Sequence, residues 1–229
     1  MTDFEQYNIE KMVDGYAAEA ADKEIKIMNA AIKNFSQNGF SRTKTKDIAK
    51  DAGVGEGTIF TYFPSKESIL ESMIPMLIKI MQPKLEKPVQ QILEDKKDAS
   101  IDIIMGEIIF DRIKVIGANI PFMKALLPEL IHRPNLLSQL KTAVMPIIHK
   151  YLGRLLTAAQ EKGEIKKLDE DIAIFQITGF ILGYIFLDTS SPQEDTKGKN
   201  KYDRLKDEER IRRDIEIFLK NLLEGWRIA

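Results

Sequence analysis

Apolar residues recur at intervals of three and four along most of this chain, and no stretch has the strict alternation of a half-buried strand, so the pattern predicts an all-α protein. Ile25, Met28, Ala31, Ile32 and Phe35 share one face of a first helix beginning near Asp22, and Asn38-Gly39 closes it in the manner of a left-handed cap. Thr43 can cap a second helix over 44–52, whose apolar side is Ile48, Ala49 and Ala52. Gly53 breaks that helix, 55–63 forms a third, and Pro64 stops it. Ser65 can cap a fourth over 66–81, bent at Pro75, with Pro83 and Pro88 punctuating the stretch beyond it. Longer patterns predict helices over 99–119, 122–132, 135–162, 169–188 and 205–225. Residues 1–21 read as a loosely ordered extension, and the polar stretch 188–204 reads as a mobile surface loop.

The punctuation suggests a small helical domain over 22–70 and a larger one over 71–229, and 44% hydrophobic residues suffice to bury a core in each. The longest apolar run, 172–187, spans 16 residues. That is short of the ~20 a membrane helix needs, so a buried helix is expected and no membrane partner. There is no cysteine, which removes disulfides and thiolate metal sites. With no charged-then-apolar leader at the N-terminus, a cytoplasmic location fits best. The net charge of −1 carries no global nucleic-acid signature, but charge is unevenly spread. Residues 22–70 hold 8 Lys/Arg and 6 Asp/Glu, whereas 1–21 hold 1 and 5.

The mildly basic segment contains AGVGEGTIFTYF, 52–63, with three alternating glycines running into strand-preferring residues. A DNA-reading helix-turn-helix accounts for it: small or apolar interior positions, a sharp turn favouring Gly, and a second helix at a steep angle. Ile48 and Ala52 line the inside of the first helix, Gly53 allows the turn, Val54 plugs it, and Ile59 with Tyr62 or Phe63 completes the small core. Gly55 and Gly57 lie at the leading end of the second helix, where a bare backbone and the positive dipole end favour a phosphate. Thr58, Thr61 and Tyr62 can donate hydroxyl hydrogen bonds to phosphates or base edges, and Lys44, Lys46 and Lys66 can add charge at flanking phosphates. Glu56 either accepts from a cytosine amino group or points to solvent.

The stretch GFSRTKTKDIAKDAGVGEGTIFTYFPSKESIL, 39–70, resembles the DNA-binding domain of the TetR family of bacterial transcriptional regulators. The matching pattern is Gly-aromatic, Thr, Ile-Ala, Ala-Gly-Val-Ser-x-Gly-Thr-aromatic-Tyr, then Phe and Lys-Glu. The nine-helix plan agrees in outline. The resemblance implies that Thr43 caps the second helix against a phosphate, that Lys44 and Lys46 face the DNA, and that Gly57-Thr58, Tyr62 and Lys66 touch phosphates. This chain has Gly55 where the family often has Ser and Phe60 where it has Tyr, so one helix cap and one hydroxyl are missing. A bare helix-turn-helix shape also fits the corner of a helical bundle; the added Gly-Thr-Ile-Phe-x-Tyr-Phe-Pro-Ser-Lys-Glu favours DNA.

Elsewhere the sequence offers less chemistry. His132 and His149 are the two histidines, no cysteine accompanies them, and no nucleophile elbow, phosphate loop or zinc-protease motif is present, so no enzyme, metal or cofactor is expected. Gly179 and Gly183 would let another helix approach closely, either within the protomer or, together with Ile211, Ile215, Phe218 and Leu222 of the last helix, in a homodimer. The resemblance implies such a dimer, docked on a palindromic DNA site, and a small-molecule cavity in the C-terminal domain. Candidate walls are Met105, Ile109, Phe110, Phe122, Leu126, Met145, His149, Phe175 and Tyr184, which suit an apolar or amphipathic effector. The expected protein is a repressor released by that effector. An activator, a co-repressor-dependent regulator, or a helical interaction module without a DNA role are the alternatives.

Overall fold

The structure, a computed structural model, describes residues 8–13, 22–190, 205 and 207–227. Among these no strand occurs, and the chain forms two compact units: 1–85 with 118–144, and 86–117 with 145–229.

In the first unit, α1 (Lys23–Asn38) is capped by the Asp22 carboxylate, which accepts from the Glu24 N–H, and ends at Gly39 with φ 78°. Helices α2 (Thr45–Ala52) and α3 (Glu56–Tyr62) follow, then α4 (Lys66–Asp95). Helix α4 continues well past the expected end at 81 and runs through Pro75, Pro83 and Pro88. Each proline removes one ladder hydrogen bond. Burial of Ile69, Leu70, Met73, Ile74 and Leu77 holds the early turns, so packing outweighs local propensity. Helix α6 (Ile120–His132) and the first part of α7 (Pro134–Ile148) also belong here. They add Phe122, Leu126, Leu130 and Leu136 to a core built on Ile27, Ile32, Phe35, Ile48, Ile59 and Phe63.

Where the sequence suggests a loosely ordered extension, residues 9–13 form a helical turn. Ile9 and Val13 are buried in the same core, and the Ile9 N–H donates to Asn119 Oδ1 at 2.7 Å. Two apolar anchors and a buried hydrogen bond suffice to hold so short a segment. Residues 1–7 and 14–21, and 191–204 of the expected loop, lie outside the described residues.

The second unit contains α5 (Ile101–Gly117), a π-helical turn His149–Gly153, α8 (Arg154–Glu161), α9 (Glu170–Ser190) and α10 (Glu208–Trp226). The buried stripe of α10, Ile211, Ile215, Leu219, Leu223 and Trp226, packs in register with α5, whose Gly106 meets the Leu219 side chain. Phe218 stacks on Phe180 at 3.8 Å, Tyr184 donates to Asp214, and the Trp226 carbonyl accepts from the Lys166 N–H. No helix among the described residues is long and apolar enough to cross a membrane.

Candidate nucleic-acid interface

Helix α2 ends where Gly53 takes φ 66°, ψ 33°, and its N–H caps α2 by donating back to that helix's carbonyls. No other atom lies within 4 Å of where a Cβ would stand, so glycine is required here by backbone conformation rather than by space. The reversed chain starts α3 at Gly55, whose lack of a side chain leaves the helix without a side-chain cap. Only Ile59 of α3 is buried, beside the C-cap residue Phe63. Of the two candidates for completing the core, Phe63 is therefore the one that does so, and Tyr62 is 42% exposed.

The outward surface of α3 carries most of the residues that the sequence singles out. Gly55, Gly57, Thr61 and Tyr62 are exposed, Thr58 is half-buried, and Phe60 is 51% exposed. The Thr61 hydroxyl donates to the Gly57 carbonyl at 3.2 Å. A large exposed aromatic on a seven-residue helix gains nothing from the protomer's own packing, as expected of a surface that meets a partner. Lys44, the residue before α2, and Lys46 in its first turn are also exposed.

Two expected contacts fall elsewhere. Thr43 is 3% exposed and does not cap α2, whose N-cap is Lys44 without a side-chain bond. The Thr43 hydroxyl instead faces the carbonyls of Gly39 at 2.8 Å and Asn34 at 3.1 Å, closing the end of α1. Lys66 is directed at the turn before α2, with its ammonium 2.7 Å from the Phe40 carbonyl and 3.0 Å from that of Thr43. Its three protons are already engaged or closely approached by backbone oxygens.

The residues assigned to an effector cavity are divided. Phe122 and Leu126 sit in the core of the first unit, whereas Met105, Ile109 and Phe110 are buried in the second. Phe175 is 72% exposed and lines no interior. Met145 is half-buried. Tyr184 is committed to Asp214, and His149 to carboxylates of α9, Glu170 at 2.9 Å and Asp171 at 3.5 Å. A separate groove of about 480 Å³ between α5 and α10 is lined by Ile103, Gly106, Ile215, Leu219 and Leu223 together with charged side chains such as Glu107 and Arg212, and none of the nine assigned residues lines it. Within the π-turn, Tyr151 and Lys150 both donate to Glu86. The hydrogen bond to Glu86 holds the Lys150 ammonium above its ordinary pKa.

The residues proposed for a dimer also separate. Ile211 and Ile215 are buried within the protomer, because the α10 stripe is consumed by α5. Gly179 is exposed and Gly183 half-buried, and no atom lies within 4 Å of a Cβ on either. Ile172, Phe175 and Leu182 of α9 and Ile217 of α10 are exposed on their helices. Leu222 is half-buried, and Phe218 is half-buried against Phe180.

An all-helical fold among the described residues, with a helix-turn-helix whose second helix offers glycines, hydroxyls and aromatics outward, fits the class of DNA-binding transcriptional regulators. Comparison with known proteins gives the particular lineage. Residues 27–73 match bacterial regulatory proteins of the tetR family. The fatty acid metabolism regulator protein of Bacillus subtilis is 30% identical over 164 residues, which are 69% of this chain and 79% of that one. The transcriptional regulator UidR of Escherichia coli K12 is 28% identical over 155 residues, 67% of this chain and 74% of the other. The solved structure of Bacillus subtilis FadR in complex with stearoyl-CoA superposes with a TM-score of 0.56 at 22% identity, covering 83% of this chain and 96% of that one. The chain belongs to the TetR family.

Proposed function

We propose that this regulator is a homodimeric repressor that places two copies of α3 in successive major grooves of a palindromic operator and leaves it when a small apolar or amphipathic molecule binds. The observation that carries the DNA half is the outward surface of α3. Gly55, Gly57, Thr58, Thr61 and Tyr62 would meet backbone and base edges, and Lys44 and Lys46 flanking phosphates. Residues 22–70 form the reading head in this assignment, and the rest of the chain serves the effector and the dimer.

A seven-residue reading helix makes few contacts, so a two-fold dimer is the economical way to reach specificity. The exposed apolar residues of α9 and α10, with Gly179 and Gly183 among them, supply a surface for it. The effector reading draws support from the buried Met105, Ile109 and Phe110 of the second unit and from the name of the Bacillus relative, which ties that protein to fatty acid metabolism. Effector binding would favour a dimer whose reading helices no longer match adjacent grooves.

The test is fluorescence anisotropy of the purified protein on DNA from upstream of its own gene and on a scrambled duplex, at low and near-physiological salt. Preference surviving the higher salt supports the operator reading, because salt weakens the phosphate contribution while base readout persists. Subsequent release by long-chain acyl compounds would support the effector class. Dimer-sized sedimentation with no binding to any duplex would favour an interaction module instead.

A further inference from the structure

Lys66 opens α4, and three backbone carbonyls surround its ammonium: Phe40 at 2.7 Å, Thr43 at 3.0 Å and Ser41 at 3.4 Å. The same nitrogen stands 4.4 Å from the centroid of the Phe40 ring. The Arg133 guanidinium lies 5.4 Å from that ring and is paired with Glu129 at 3.2 Å and Glu67 at 3.7 Å. An ammonium carries three protons, and three oxygens stand ready to receive them. A phosphate could recruit Lys66 only by drawing the ammonium away from one or more of these carbonyls, which offsets part of what the new bond would gain.

The carbonyls belong to the turn that leads from α1 into α2. Gly39 turns the chain with positive φ, and the Thr43 N–H donates back to Gly39 and Phe40. We propose that Lys66 is a positioning residue for DNA recognition: it clamps this turn against α4 and the Phe40 ring, and so fixes the direction in which α2 and α3 leave α1. This rests on the DNA-binding reading and goes beyond it, because the residue acts through the backbone of 40–43 and not on a phosphate.

The two roles differ in salt dependence. Losing a phosphate contact makes the negative slope of log affinity against log salt shallower by about 0.9 per contact, and so by about 1.8 when both protomers of a dimer lose it. Losing a clamp leaves the slope alone and loosens the free protein. The experiment uses full-length Lys66→Met, Lys66→Arg and Phe40→Leu, a duplex enriched from a random pool by the parent protein, and a scrambled duplex. Lys66→Met is expected to lose about tenfold or more in affinity for the enriched duplex, to keep the parental slope, and to bind the scrambled duplex almost as before. Without DNA, hydrogen exchange should quicken at the amide of Thr43, which bonds to carbonyls of this turn, and at those of Asp47 and Ile48, which bond to the carbonyl of Lys44 just after it. Lys66→Arg should recover most of the affinity, because a guanidinium can donate to several carbonyls and stack on Phe40.

A slope shallower by about 1.8 in Lys66→Met, one phosphate contact from each protomer of the dimer, with unchanged exchange would overturn the proposal and restore the phosphate contact. Unchanged affinity and exchange would overturn it as well. Should Lys66→Met not fold, Phe40→Leu decides: the clamp expects lower affinity at the parental slope, and a phosphate contact expects parental affinity. A parent protein that enriches no duplex fails the DNA-binding reading itself, before any variant is made.

Discussion

The Thr45 hydroxyl donates to Glu56 Oε1 at 2.7 Å, joining the first turn of α2 to the first turn of α3. Both residues lie at helix N-termini, and the carboxylate is exposed. Glu56 therefore places a negative charge at the tip of the proposed reading helix, where it favours the helix dipole and opposes nearby phosphates.

Glu56→Gln keeps an oxygen acceptor for Thr45 and removes that charge. Affinity for a scrambled duplex at low salt should rise about two- to threefold, with the fold intact by circular dichroism. Unchanged affinity would place Glu56 away from the phosphates.

Thr58→Ala combined with Tyr62→Phe removes two outward hydroxyls without touching the buried Ile59 or Phe63. Operator affinity should fall by about 100- to 1,000-fold, the size of four hydrogen bonds lost across a dimer at about 1 kcal/mol each, while thermal unfolding stays within about a degree or two of the parent. Intact affinity in the same anisotropy assay would remove both residues from the interface.

Gly53→Ala tests the turn. The left-handed conformation at φ 66° penalises a side chain, and nothing within 4 Å of the Cβ adds a clash. The expected destabilisation is about 1–2 kcal/mol, read from urea unfolding. A neutral result would mean that the turn readily adopts another conformation.

Gly183→Leu and Gly179→Ala address the dimer. Neither new side chain meets an atom of its own protomer at the Cβ, so each protomer should keep its helicity. Sedimentation velocity should nevertheless show weaker association for Gly183→Leu. Identical sedimentation at micromolar and nanomolar protein would exclude α9 from the interface.

The helix-turn-helix is legible in the sequence because its determinants are local: Ile48, Gly53 and Ile59 specify inside, turn and inside within a dozen residues. Effector and dimer positions are less legible. An amphipathic helix declares that it has an apolar face but not which core receives it. Thus Phe122 and Leu126 join the first unit, and the α10 stripe through Ile211 and Ile215 goes to α5. Thr43 and Lys66 carry the right chemistry for phosphate, but their partners are set by the path of the 39–43 turn, which sequence spacing does not encode. The continuity of α4 through three prolines is likewise decided by packing.

Trp226, which closes α10 and accepts from Lys166, is the only tryptophan of the chain and is 5% exposed. Intrinsic indole emission therefore reports on the second unit alone, while far-ultraviolet ellipticity sums both. If the two signals separate along a denaturant titration, the units melt independently, and an effector of the second unit would shift the emission curve while leaving the other transition in place.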